Sequence, residues 1–261
     1  MAVENNVVLP LVTVVMANHN YSKWIKQAID SVRDQDYPNK RLVVVQDGEH
    51  EESQSVIMGV FTECYTPKNH PFETLYMGKY GEMPLTIIAH KESKGPGIAR
   101  SIGVQASFKD SHMFAVIDSD DYWEPTKLSK SVGLMLEDPE RIGAVYSDNY
   151  ILNNETGLIT REFRESFNRQ RLLRHNMIHS SMLINRLAFE RVGLWDQNLS
   201  YFAEDLDMSL MISEQFVILH IPEPLMTHRV HGQNISGKIT DVQKRNWSYI
   251  AAKHQARTQK K

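Results

Sequence analysis

Across 261 residues there is a single cysteine, Cys64, and the formal charge at pH 7 is only -3. A lone cysteine excludes an intrachain disulfide framework and a cysteine-based structural zinc site, as suits a reducing compartment. Any metal must therefore be held by Asp, Glu or His. No apolar run approaches the roughly 18 residues of a membrane-spanning helix. The opening residues, MAVENNVVLP, lack a cationic stretch followed by an apolar one. The expectation is a soluble, cytoplasmic protein, at most peripheral to a membrane. Hydrophobic residues at 41% and charged residues at 23% exclude wholesale disorder, a collagen-like repeat and a coiled-coil rod. The length suits one large mixed domain.

Near-neutrality is a sum of unlike segments. Residues 1–160 carry 14 Lys/Arg against 22 Asp/Glu, whereas residues 161–179 carry five Arg against two Glu. From 241 to the end six basic residues face one acidic residue, and the tail KHQARTQKK reads as solvated and frayed. Both basic segments fit either a solvated surface or an anionic partner, nucleic acid included.

The periodicity predicts alternating strands and helices. Residues 11–16 (LVTVVM) form a buried-strand run, and a helix with Ser22 as N-cap follows and stops before Pro38. A second strand at 41–46 (RLVVVQ) closes on Asp47-Gly48, completing a β-α-β unit. A helix near 52–64 leads into a long Pro/Gly/Tyr stretch at 66–84, compatible with a hairpin or a flap. Strands at 85–89, 113–117 and 142–147 alternate with helices after Gly95-Pro96-Gly97 and over 126–136. In such open α/β sheets ligands bind beyond the carboxyl ends of the strands. After residue 150 the rhythm changes, to a hairpin at 153–157, an Arg-rich helix at 166–175, a strand at 180–184, and helices at 186–192 and 204–214.

Three groups of residues carry chemistry. Asp118, Asp120 and Asp121 directly follow an apolar strand. Such crowded carboxylates repel unless a cation or hydrogen-bond donors satisfy them, and oxygen ligands suit Mg²⁺ or Mn²⁺. An acidic turn capping the next helix is the plainer alternative. Glu204, Asp205 and Asp207 begin a helix, where carboxylates also complement the helix dipole. His228 and His231 flank Arg229-Val230 near a turn, as polar loop residues or as metal ligands beside carboxylates.

The order of these motifs is more specific than any one of them. TVVMANHNYSKWIKQAIDSVRDQDYPNKRLVVVQDGE, KESKGPGIARSIGV and AVIDSDDYWEPTKL are followed by MIHSSMLINRLAFERVGLWDQNLSYFAEDLDMSLMI and RVHGQNIS. Over about residues 10–236 the chain resembles the inverting nucleotide-sugar glycosyltransferases of family 2. The resemblance implies the GT-A fold, an α/β single domain with a Rossmann-like, mixed, mostly parallel central sheet flanked by helices. That domain would span 1–240, with a nucleotide-sugar half at 8–150 and an acceptor half at 151–236, before a basic C-terminal helix or tail at 241–261.

It further implies transfer of a sugar from a nucleoside-diphosphate sugar, a UDP-sugar being the expected donor, to an acceptor hydroxyl in glycan biosynthesis, aided by Mn²⁺ or Mg²⁺. Asp47, with Asn18 nearby, would contact the nucleobase. Arg100 would lie by the base or ribose, Asp118 by the ribose, and Trp123 on the donor side. Asp120, of the DXD motif, and His231 would hold the metal. Asp205 would be the general base and Glu204 an acceptor contact. The family usually has paired acids where this chain has Gln46-Asp47. Tyr201 and Phe202, with Trp195 alternatively a core residue, would stack on an acceptor sugar. Arg161, Arg164, Arg169, Arg171 and Arg174 fall where the fold builds acceptor contacts, and suit either solvent or an anionic acceptor. A nucleotidyltransferase or pyrophosphorylase, and a non-catalytic nucleotide-sugar-binding module, are the rival readings. The first would carry a Gly-rich basic loop after its first strand, where NHNYSKW is a poor match.

Overall fold

The structure, a computed structural model, describes residues 9–67, 71–174, 177–199, 201–234 and 241–258. Residues 68–70 of the 66–84 insertion, Ser236 of the closing motif and residues 259–261 of the tail lie outside them. The chain runs β1 (Val12–Asn18), α1 (Ser22–Arg33), β2 (Lys40–Asp47), α2 (Glu51–Met58), β3 (Glu63–Tyr65), β4 (Thr74–Tyr80), β5 (Met83–His90), α3 (Pro96–Ser107), β6 (Met113–Asp118), β7 (Tyr122–Trp123) and α4 (Lys127–Met135). It continues with β8 (Ile142–Asn153), β9 (Ile159–Glu162), α5 (Arg169–Leu172), β10 (Leu183–Asn185), α6 (Arg186–Val192), α7 (Glu204–Ile212), β11 (Val217–Val230) and α8 (Asp241–Thr258).

Among the described residues eleven strands join one sheet in the order β3-β4-β5-β2-β1-β6-β10-β8-β11-β7, with β9 paired to β8. The centre, β5-β2-β1-β6, is parallel, while β3, β4, β10, β7 and β9 add antiparallel pairs around it. Strand alternation feeds both faces. Val12, Val14 and Met16 of β1, with Met113, Ala115 and Ile117 of β6, pack among α1, α2 and α4. Val15, Phe114 and Val116 face the opposite core with α3, α6, α7 and Ile250 of α8. Each fully buried aliphatic side chain of this kind contributes about 1.5–3 kcal/mol. Gly103 lets α3 lie close on the sheet, since a Cβ there would come 2.6 Å from Val15 Cγ1.

Several expectations change. Tyr21, not Ser22, is the N-cap of α1, and it makes no side-chain capping bond. Of the two readings of 66–84, the hairpin is the one present: β4 pairs antiparallel with β5, and β3, from before that stretch, pairs with the other edge of β4. The Arg-rich helix shrinks to the single turn α5, capped by Asn168, whose side chain accepts from Arg171 N. β11, fourteen residues parallel to β8, is absent from the sequence reading. Pro222 and Pro224 break its pattern, and the register shifts beside Pro224 absorb them. The tail is helical and anchored over its described part, with one face left exposed. α8 docks on α7, with Lys253 Nζ 2.7 Å from Asp207 Oδ2, His254 Nε2 2.9 Å from Asp207 Oδ1, and Arg257 Nε 2.7 Å from Glu214 Oε2.

Candidate active site

Parallel pairing sets the carboxyl ends of the central strands in one row. Ala17 lies opposite Asp118, Asn18 opposite Gln46, and Asp47 opposite His90. A cavity of about 550 Å³ opens over that row. Asn18, Asp47, Arg100, Asp118, Asp120, Tyr201, Glu204 and Asp205 all line it.

At one wall the Asp47 carboxylate accepts from Ser93 Oγ at 2.8 Å, Lys94 N at 2.7 Å and Gly95 N at 2.8 Å. It thereby fixes the turn into α3. Gly95 caps that helix at φ +90°, a conformation that favours glycine, and Pro96 fills the first turn. Gln46 explains its own departure from an acidic residue. Its Oε1 accepts from Asn18 Nδ2 at 2.6 Å and its Nε2 donates to Gly48 O at 3.0 Å, so one neutral amide serves both neighbours. Asn18 Oδ1 is left buried without a hydrogen-bond partner among the described residues.

Arg100 links the two sides of the cavity. From α3 its guanidinium donates to Asp118 Oδ1 and to Glu204 Oε1, each at 2.6 Å, and only 4% of its side chain is exposed. Burial tends to raise the Asp118 carboxyl, but Arg100, followed by His179 and the Ser180 hydroxyl 2.6 Å away, bring it down to about 2. For Glu204 burial prevails over Arg100 and lifts the carboxyl to about 7. Glu204 and Asp205 open α7 behind Ala203, which holds a left-handed φ of +65° without being glycine. Such a conformation costs on the order of 1–3 kcal/mol, and it aims the two acids at the cavity. Gly97 permits α3 to approach them, since a Cβ there would lie 3.2 Å from Glu204 Cγ.

Two polar clusters surround the remaining acids. His231 Nε2 is 3.0 Å from Asp120 Oδ2, and the imidazole stacks on Trp24 with ring centroids 4.0 Å apart. Gln233 N donates to His231 Nδ1, so in the neutral ring Nε2 carries the hydrogen and donates it to Asp120. Beside this pair, ligand atoms of Asp121, His179 and His228 all lie within 4.8 Å of one another. His228 Nδ1 is 3.2 Å from Asp121 Oδ1 and 3.3 Å from His179 Nε2. Burial, with Asp121 and Asp118 close by, pushes Asp120 well above the usual carboxylate range. Burial acts against a charged His228, yet Asp121 raises it to about 9. Concentrated negative charge with imidazoles at hand is a donor set that fits a divalent cation.

The profile of the family described as "Glycosyl transferase family 2" matches residues 13–193. The chain belongs to glycosyl transferase family 2. A chondroitin synthase of Pasteurella multocida is 25% identical over 239 residues, covering 91% of this chain but 22% of that protein. An uncharacterized glycosyltransferase of Rickettsia prowazekii is 23% identical, covering 87% of this chain and 66% of its own length. The chain thus spans about a fifth of the first relative and just under two thirds of the second. Staphylococcus aureus TarS 1–349 in complex with UDP superposes with a TM-score of 0.64 at 15% identity, over 94% of this chain and 70% of that one. The mannosyltransferase PcManGT of Pyrobaculum calidifontis, in complex with GDP-Man and Mn²⁺, gives 0.61 at 17% identity, over 88% and 60%. The fold is GT-A.

Within this family 2 chain some expected residues stand elsewhere. Trp123 does not line the cavity. It lies in the core with its Nε1 donating to Ser181 Oγ at 2.8 Å. Arg169 and Arg171 also lie outside the cavity lining, drawn to Glu214 and Glu165, and Arg174 is exposed outside it. Trp195 is a core residue. Of the arginine-rich stretch, Arg164 reaches the cavity, but its guanidinium donates to Glu162 and Asn149. The sequence reading did not single out His19, Tyr21, Ser93, His179, Ser180, Asn234 and Trp247, all of which line the cavity. The His-Ser-Ser triplet before β10 and a lone tryptophan in a charged tail were the available signals for three of them. Ser93 carried none.

Proposed function

We propose that the chain is an inverting glycosyltransferase that moves a sugar from a nucleoside-diphosphate sugar, a UDP-sugar being the expected donor, to an acceptor hydroxyl. The convergence of Asp118 and Asp120 from β6 with Glu204 and Asp205 from α7 in one cavity supports this reading most directly. Asn18 Oδ1, buried and unpartnered among the described residues, is an acceptor for an N–H of the nucleobase, and the loop fixed by Asp47 forms the wall beside it. Asp118, kept ionised by Arg100, is suited to accept from ribose hydroxyls.

On the acceptor side Asp205 takes the proton as the hydroxyl attacks the anomeric carbon, help worth about 10²–10⁴-fold. The positive end of α7 favours its charged form. A single displacement inverts the centre and needs no enzyme nucleophile. Glu204, pinned by Arg100, holds the acceptor edge of the site. Mn²⁺ or Mg²⁺, when bound, supplies Lewis-acid stabilisation of the departing diphosphate. Asp120 and the Asp121, His179 and His228 group would hold it, and His231 orients Asp120 through its Nε2 hydrogen.

The test is turnover of labelled nucleotide sugars with Mn²⁺, products identified, for wild type and Asp205→Asn. The variant is expected to bind donor as the wild type does and to lose about 10²–10⁴-fold in transfer. Wild-type turnover in the variant refutes the assignment of Asp205, and formation of a nucleoside triphosphate and a sugar 1-phosphate from the nucleotide sugar when pyrophosphate is added would identify a pyrophosphorylase instead.

A further inference from the structure

We infer that the α7 end of the cavity is a subsite for a neutral saccharide, and that the C-terminal helix α8 completes it with Trp247. The inference rests on the proposed transferase reading and adds the acceptor's chemical class. Tyr201, Phe202 and Trp247 line that end together with Leu206, Glu204 and Asp205. Tyr201 is 47% exposed, and its hydroxyl is 3.4 Å from Ser93 O. Trp247 comes from far along the chain, outside the span matched by the family profile, yet its position is built by buried polar contacts. Asn246, its neighbour, donates from Nδ2 to Phe202 O at 2.9 Å and is 5% exposed. One turn or two further on, Lys253 bridges Asp196 and Asp207 at 2.8 and 2.7 Å, and His254 bridges Asp207 and Glu214, each at 2.9 Å. The helix that presents Trp247 is thereby locked to the helix that presents Asp205.

Charge decides which acceptor such a wall accepts. Among the described residues the arginines lining the cavity are Arg100 and Arg164, and both already face carboxylates. Asp118, Asp120, Glu162, Glu204 and Asp205 line the same space, and two imidazoles there, His179 and His228, face Asp121. A phosphate or uronate group entering there would meet acids with no arginine to spare. A neutral pyranose has a face of C–H groups that lies on an aromatic ring and a rim of hydroxyls that donates to carboxylates, the mixture of apolar wall and few polar groups typical of small-ligand sites.

The experiment measures binding of neutral gluco-, galacto- and manno-configured trisaccharides, and of uronate-containing counterparts, by saturation-transfer NMR on the whole chain with UDP and diamagnetic Mg²⁺ present. Trp247→Leu keeps an apolar side chain against the core, and Trp247→Phe keeps a ring face; a melting curve for each checks the fold. The expected result is binding of at least one neutral trisaccharide, weakened about tenfold in Trp247→Leu and restored in Trp247→Phe. Binding of uronate-containing sugars alone, an affinity untouched by Trp247→Leu, or no saccharide binding at all overturns the inference. Donor affinity is measured in parallel by calorimetry. Absent donor binding with saccharide binding retained would refute the transferase reading and leave the subsite standing.

Discussion

Replacing Arg100 with methionine tests whether one buried guanidinium holds the two sides of the site together. Methionine retains an unbranched side chain of similar reach, so the perturbation is mainly the charge and its two 2.6 Å bonds to Asp118 and Glu204. Removing one member of a buried ion network costs about 3–5 kcal/mol, because the carboxylates left behind are desolvated without a partner. The pH dependence separates that cause from simple packing loss. In the wild type Glu204 titrates near 7 against an ordinary 4.5, so its contribution to stability is present below about 4.5 and is lost as pH rises through 7. Asp118, near 2 against 3.8, contributes above 3.8 and loses its contribution as pH falls through 2. Without Arg100 both carboxyls move up, each unit being worth about 1.4 kcal/mol. Urea unfolding of the variant should therefore show the full deficit at pH 8 and a clearly smaller one at pH 5, where Glu204 is protonated and needs no counter-charge. An equal deficit at both values refutes the electrostatic account.

The other expectations concern the metal and the C-terminal helix. Asp120→Asn should weaken donor binding at least about tenfold in Mn²⁺ and remove most of the difference between Mn²⁺ and chelator, read by calorimetry with a UDP-sugar. Binding unchanged by the substitution would take Asp120 out of the metal site. Lys253→Met leaves Asp207, a fully buried carboxylate, facing His254 without the lysine, and should cost about 3 kcal/mol with earlier proteolytic cutting within 241–258. Cutting at the wild-type rate would show that α8 docks through its apolar face alone.

The parallel core was legible because its strands are short β-branched runs bounded by turn residues, and 41–46, 85–89 and 113–117 all fall within observed strands. Periodicity failed where tertiary pairing overrides local pattern. β11 opens with an apolar run, Val217–Ile221, that the sequence reading passed over, and beyond it two prolines interrupt the pattern, so the second half exists as a strand through its pairing with β8 and β7. β3 is three exposed residues that exist as a strand because Gly78 of β4 lets the chains approach, a Cβ there being 1.8 Å from Glu63 O.

The site divides along the same line. Asp118 was readable because the sheet delivers a strand end to a crevice by construction, whereas the roles of Asp47, Glu204 and Asp205 came from the resemblance, since acids at the start of α7 equally suit the helix dipole. The arginines of 161–174 and the basic tail were not readable, because a charge count has no direction. Residues 241–258 look like a solvated appendage until the acids that bind them are known, and those acids, Asp196, Asp207 and Glu214, are spread over residues 196–214. Near-neutrality of the whole chain is therefore partly contact. Lys253 and Arg257 of α8 are bound to acids at 196–214, while Asp118 at its strand end keeps Arg100 as its resident counter-charge. In the function proposed above, this asymmetry suits the strand-end acids to a metal and a diphosphate, and the α7 side, where the cations are spent on holding α8, to an uncharged hydroxyl.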